Sequence, residues 1–167
     1  MCLAEGEGRN AVYLATRGHS VLAVDSSAVG LKKARRLARE NKVEVETIVA
    51  DLDTYEIENN IFDSIISIFC HVPSSLRKKL HRNCAAGLKI GGVFVLEAYT
   101  PKQLQYGTGG PKDIDRLMSL DILRVELQGL HLEHAIECER MISEGNFHTG
   151  PGHVVQIFAV KNESIMA

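Results

Sequence analysis

The chain has 167 residues, 45% of them hydrophobic and 24% charged, with a formal net charge of −2. That length buries a core as one domain, and the near-neutral balance argues against a surface built to coat nucleic acid. No apolar run is long enough to span a bilayer, and the N-terminus shows no basic region followed by an apolar core.

Met1 to Ala4 is a short apolar piece that reads as the end of a first strand, shorter than the usual five or six residues. The glycine turn Glu5-Gly6-Glu7-Gly8 follows, then a helix over residues 8–18 that Gly18 stops. A second apolar strand, 20–24, ends on Asp25, after which Ser26 or Ser27 caps a helix running from about Ala28 to Asn41. Its basic cluster Lys32-Lys33-Ala34-Arg35-Arg36 lies opposite an apolar stripe and reads as a solvated face. Val45 to Ala50 is a β-branched third strand that again ends on an acid, Asp51. Asp51 to Asn60 is a polar connection. Phe62 to Phe69 is a fourth strand apolar enough to be buried on both faces, with Cys70 and His71 at its end.

Ser74 is the expected N-cap of the next helix, whose stripe is Leu76, Leu80, Cys84 and Leu88. Gly91-Gly92 turns the chain into a fifth strand, Val93 to Tyr99. A glycine- and tyrosine-containing loop spans Thr100 to Pro111. A helix is expected over about Ile114 to Leu127, a strand over His131 to Ile142, a hairpin-like loop over Ser143 to Gly152, and a last strand over Val154 to Lys161. Strands alternating with helices predict a Rossmann-like, doubly wound α/β fold, a mostly parallel sheet finished by an antiparallel C-terminal strand. The four cysteines, Cys2, Cys70, Cys84 and Cys138, have no close spacing. They read as reduced thiols of a cytoplasmic protein.

The chemistry concentrates at the first turn. Strand, glycine turn, helix, strand and acid form a nucleotide-binding half: glycines let backbone N–H groups approach a ligand, the helix N-terminus faces it, and Asp25 can accept from a ribose diol. Gly6-x-Gly8-x-x-Ala11 fits the dinucleotide pattern, but one half-site is present, and Asp51 is placed to accept from an adenine amino group.

These residues resemble a known family. Cys2-Leu3-Ala4-Glu5-Gly6-Glu7-Gly8-Arg9-Asn10-Ala11 is similar to the first motif of class I S-adenosylmethionine-dependent methyltransferases, in particular small bacterial-type enzymes related to the tellurite-resistance and thiopurine methyltransferases. Asp25, Asp51-Leu52, Phe69-Cys70-His71-Val72-Pro73, Leu88-Lys89-Ile90-Gly91-Gly92-Val93, Gln105 to Pro111 and Phe147-His148-Thr149-Gly150 match later motifs in order. The resemblance implies one methyltransferase domain over 1–167, without the family's usual segment before strand one, that binds S-adenosylmethionine and a small-molecule nucleophile. Glu5, Gly6 and Gly8, with Arg9 and Asn10, would contact the methionine end. Asp25 and Ser26 would hold the ribose, Asp51 and Leu52 would flank the adenine, and Phe69 and Cys70 would line the pocket beside the sulfonium. Where the family has an acid and a glycine, this chain has Cys2 and Ala4, and alanine at a position needing φ > 0 costs about 1–2 kcal/mol.

His71 is either a general base or substrate contact beside the methyl group, or a strand-end histidine bonded to backbone. Tyr99 and Tyr106 are candidate substrate-wall residues that could equally be packing, and Glu97 is either a substrate contact or a partner for a cation. Cys70 is either a reactive thiol or a small buried residue. No metal is expected: on a strand His131 and Glu133 share one face while His134 points to the other. The departures at Cys2 and Ala4 keep an alternative in view, a non-catalytic nucleotide-binding or interaction module of the same fold.

Overall fold

The chain folds around one seven-stranded sheet. In the computed structural model, which describes residues 1–143 and 149–163, the strands are β1 (Cys2–Leu3), β2 (Leu22–Asp25), β3 (Glu46–Val49), β4 (Phe62–Ile68), β5 (Leu88–Tyr99), β6 (His131–Ser143) and β7 (Thr149–Val160). Their order is β3-β2-β1-β4-β5-β7-β6. β1 to β5 pair in parallel, whereas β7 runs antiparallel to both neighbours. β7 is thus the single reversed strand, as the sequence pattern predicts. The chain winds outward from β1 to β2 and β3, then crosses to β4 on the other side, so the order reverses between β1 and β4. Open α/β sheets bind ligands at that switch point, beyond the carboxyl ends of the strands.

Helices cover both faces. α1 (Arg9–Thr16) and α2 (Ala28–Glu40) bury Ala11 and Leu31 against Cys2, Val21 and Ala23. α3 (Ser74–Gly87) and α4 (Leu120–Glu126) set Leu80, Cys84 and Leu123 against Ile65, Phe94 and Leu96 on the opposite face. Gly18 ends α1 at φ +89, and the N–H of His19 closes back on Leu14 O at 3.2 Å, a turn that a side chain at Gly18 would strain.

Several elements depart from the sequence pattern. The helix expected over 114–127 is broken into a 3-10 turn, Ile114–Arg116, and α4. Between them Leu117 and Met118 are almost fully buried, and the Met118 N–H donates to Tyr99 O at 3.0 Å; Ser119 Oγ then caps α4 by accepting from Ile122 N–H. Burial of two large side chains overrides helix propensity there. Ser74 is not an N-cap, because Pro73 holds that position and has no side-chain acceptor. The Ser74 N–H instead donates to Asp115 Oδ2 at 2.8 Å, from 41 residues away. The last strand begins at Thr149, not Val154; Phe147 and His148 lie outside the described residues. β4 is fully buried only at Ile65 and Ser67, while its other face, Ile66 and Ile68, is half-buried.

The apolar stripe of α3 is buried as expected at Leu80, Cys84 and Leu88, and a charged pair is buried beside it. Arg77 and His81 are both 2% exposed. Arg77 Nε and Nη2 donate to Glu126 Oε2 and Oε1, at 3.0 Å each, and His81 Nδ1 lies 2.9 Å from Oε2. Arg77 Nη1 also donates to Asp115 O at 2.9 Å. Burial would raise the Glu126 carboxyl, but the hydrogen bonds from His81 and Arg77 outweigh it and hold the group below its ordinary value.

Candidate active site

The turn between β1 and α1 is built from one strained residue and two glycines. Ala4 has φ +49, Gly6 +61 and Gly8 +91. A Cβ on Gly8 would lie 2.6 Å from Ala34 Cβ, so that glycine lets α1 and α2 touch. A Cβ on Gly6 would meet nothing within 4 Å, so the backbone there faces an open cradle. Gly30, not singled out by the sequence pattern, is needed for the same turn: its Cβ would lie 2.9 Å from Gly6 O.

Asp25 binds this turn directly. Its Oδ2 accepts from Gly6 N–H at 2.8 Å and its Oδ1 from Ser27 N–H at 2.7 Å. Each carboxylate oxygen keeps a second lone pair for a hydroxyl group. Ser27 is the cap of α2, its Oγ accepting from Gly30 N–H at 3.0 Å, and Ser26 is exposed beside it. Asp51 lies two residues beyond Val49, the register partner of Asp25 on the adjacent strand, so both acids stand at the same edge of the sheet. Asp51 is exposed and Leu52 is 9% exposed, packed into the main core.

Glu5 turns inward. It is 9% exposed, and its Oε1 accepts from Ala11 N–H in the first turn of α1 at 2.8 Å. Burial raises its carboxyl above the ordinary value, with the N–H groups of Ala11 and Asn10 and the Cys2 thiol pulling the other way. Burial and the neighbouring Glu5 push the Cys2 thiol up to about 12. A carboxylate therefore sits beneath the glycine turn, supplied by position 5 while position 2 is cysteine.

Beside the turn, a chamber of about 330 Å³ opens at the ends of β4 and β5. Its wall is aromatic. The Phe69 and Tyr99 rings stack at 4.6 Å, and the His71 and Tyr99 rings at 5.6 Å with 12° between planes. Phe69 has φ +53, uncommon for a bulky residue and of the kind concentrated at functional sites. Arg9 and Arg116 supply the remaining side chains, and Gly110 and Pro111 of the loop after β5 close the rim. That loop is seated by buried Gln103, which accepts from His153 N–H at 2.8 Å and donates to Thr108 Oγ1 and Gly109 O at 3.0 and 3.2 Å. A Cβ on Gly110 (φ +83) would lie 2.7 Å from the Tyr99 ring. Gln103 and Gly110 carried no separate signal in the sequence beyond the glycine-rich loop itself.

Both ring nitrogens of His71 face backbone groups. Nδ1 is 2.9 Å from Arg116 O, an acceptor only, so Nδ1 carries the hydrogen. Nε2 then accepts from Tyr99 N–H at 3.3 Å. Cys70 is 3% exposed in the main core, with its thiol pushed up to about 12 by burial, the state of an inert packed cysteine. Tyr106 does not line the chamber: its hydroxyl donates to Glu139 on β6 at 2.6 Å. Glu97 is the partner of a cation, taking hydrogen bonds from Arg140 and from Gln156 Nε2 at 2.6 Å. Asn10 lines a separate groove, together with Glu97 and Arg140, and not the chamber.

The profile of a methyltransferase domain family matches residues 1–92, more than half of the chain. The chain belongs to the methyltransferase domain family. No curated protein matches it. Among solved structures it is similar to an S-adenosylmethionine-dependent methyltransferase of Methanosarcina mazei (TM-score 0.78, 14% identity, 96% of this chain and 91% of that one). It is similar also to TehB from Haemophilus influenzae (0.77, 17%, 96% and 57%). A third is magnesium protoporphyrin IX methyltransferase from Synechocystis PCC 6803, solved with bound S-adenosylhomocysteine (0.71, 17%, 96% and 72%). The chain thus spans a little over half the length of TehB. At these identities the likeness is one of fold, and this methyltransferase domain shares their sheet topology.

Proposed function

We propose that this methyltransferase domain transfers a methyl group from S-adenosylmethionine to a small-molecule nucleophile. The observation that carries the reading is Asp25, fixed by Gly6 N–H and Ser27 N–H at the switch point, with lone pairs left for a ribose diol. The open face above Gly6 would take the methionine end, with the backbone of Glu5 to Gly8 and the Arg9 side chain. Asp51 stands one strand over for the adenine, with Leu52 beneath it. Bound there, the cofactor supplies a methyl group already activated by its sulfonium. What remains for the chain is to hold the acceptor in line with that methyl and to shed water.

Phe69 and Tyr99 are the wall for the acceptor, and Gly110 and Pro111 its rim. His71 holds this wall in place through Arg116 O and Tyr99 N–H and does not take a proton. Tyr106 and Cys70 stand outside the chamber. The inward carboxylate of Glu5 answers the missing acid at position 2, which removes the main motive for a non-catalytic module.

Isothermal titration with S-adenosylhomocysteine tests the reading. Saturable binding is expected, weakened at least tenfold by Asp25→Ala, which removes interactions worth about 1.4 kcal/mol or more. Absence of heat at millimolar ligand overturns it.

A further inference from the structure

Two main-chain groups orient the His71 ring. Nδ1–H donates to Arg116 O at 2.9 Å, and Nε2 accepts from Tyr99 N–H at 3.3 Å. The ring then stacks on Tyr99 with 12° between planes. Tyr99 is fixed by the sheet, as the last residue of β5 and the register partner of Val154. Arg116 is not. It belongs to a 3-10 turn of three residues, Ile114–Arg116, too short to hold itself. The tautomer of His71 therefore depends on what holds that turn.

Two groups of α3 hold it, and both meet Asp115. The first N–H of the helix, that of Ser74, donates to Asp115 Oδ2 at 2.8 Å. Pro73 at the cap position has no side-chain acceptor, so this carboxylate caps the helix from 41 residues away. Deeper in, Arg77 Nη1 donates to Asp115 O at 2.9 Å. Nε and Nη2 of the same guanidinium are engaged by Glu126. The planar fork is thus pinned in the buried cluster, with Nη1 aimed at the carbonyl next to Arg116. Asp115 itself is exposed and stands outside the chamber lining among the described residues.

We infer that Asp115 is a positioning residue for the acceptor wall: tied to α3 by its carboxylate and by its carbonyl, it places Arg116 O on His71 Nδ1 and so fixes one tautomer of that ring against Tyr99. This rests on the reading above, in which that wall faces the acceptor. Held in this way, the imidazole keeps both nitrogens engaged with backbone. Released from Arg116 O, it regains a choice of tautomer and can turn a lone pair or an N–H toward the chamber. The charged cluster between α3 and α4 then has a role besides stability. Glu126 aligns Arg77, Arg77 holds the Asp115 carbonyl, and the His71 ring follows.

Long-range proton–nitrogen NMR of the full chain, carrying isotope-labelled histidine, reads the tautomer directly at about pH 8, where an ordinary imidazole is neutral. His71 is picked out from the seven histidines by the signals lost in His71→Gln. In the native protein it should be held in the Nδ1–H form. In Asp115→Ala it should relax to the mixture that free imidazole adopts, in which the Nε2–H form leads. Asp115→Asn keeps an oxygen for Ser74 N–H and should retain the native signals. Arg77→Lys keeps a charge for Glu126 but cannot fork to the carbonyl, and should release the ring as Asp115→Ala does; if that protein does not fold, the Asp115 variants decide. A merely structural role would lower the melting temperature and leave the ring signals where they were. Native-like ring signals in Asp115→Ala, or a native His71 already in the Nε2–H form, overturn the inference. Calorimetric titration of S-adenosylhomocysteine into the native protein reports the cofactor reading separately: no heat, with the tautomer still set by Asp115, removes that reading and leaves the coupling of Asp115 to His71 in place.

Discussion

Ala4 carries φ +49 between β1 and the glycine turn, where a Cβ costs about 1–2 kcal/mol. Ala4→Gly should therefore raise the urea midpoint, by a net of about 1 kcal/mol once the greater freedom of glycine in the unfolded chain is subtracted; an unchanged or lowered midpoint would show that the turn gains from the alanine in some other way. The need for glycine at this position was legible in the motif, and the strain follows from it. The direction of Glu5 was not legible, because a glutamate in a glycine loop can face ligand or core, and only the buried N–H of Ala11 decides. Burial raises the Glu5 carboxyl. Its contribution to stability is thus complete below the ordinary carboxyl range and lost as pH rises through the raised folded value. Glu5→Gln keeps an oxygen for Ala11 N–H but has no such loss. Its melting temperature should gain on the native protein between acid and neutral pH and then run parallel, and a gap that narrows over that range would contradict this sign.

At the scale of elements, α3 and α4 are joined by a charged cluster that lies beside the apolar stripe of α3. Arg77, His81 and Glu126 are all buried, so their hydration has been exchanged for one another. Removing one partner of such a pair costs about 3–5 kcal/mol, since the other is left as an uncompensated buried charge. Glu126→Gln should lose stability on that scale by urea unfolding at neutral pH. Because Glu126 is held below its ordinary value, its contribution is present above the ordinary carboxyl range and lost as pH falls through the folded value. The deficit of Glu126→Gln should accordingly shrink in acid; a deficit that stayed constant with pH would mean that the charge is not what matters. Helical periodicity could not reveal this, because Arg77 and Glu126 are 49 residues apart and each reads locally as a surface residue.

For the whole molecule, the sheet sets which parts open first. β4 and β5 pair on both sides, with β1 and β7 as outer partners, whereas β3 and β6 are edges. Amide hydrogen exchange should be slowest across Ile65 to Ser67 and Val95 to Glu97 and faster across Glu46 to Val49; uniform protection would mean that the sheet opens only as a unit. The alternation of strands and helices, the reversed last strand, the glycine turn and the two acids at neighbouring strand ends were all determined by the sequence alone. Each depends on periodicity or on conformational limits a few residues long, such as a strand's period of two or the φ > 0 of a turn. The tertiary structure decided the rest: the cap on Ser74 from Asp115, the break between Arg116 and Ser119, the withdrawal of Tyr106 to Glu139, and the two backbone bonds that occupy His71. Those outcomes come from partners 28 to 45 residues away in the chain, or from burial that outweighs local propensity, and no local pattern records which distant groups the fold brings within hydrogen-bonding distance.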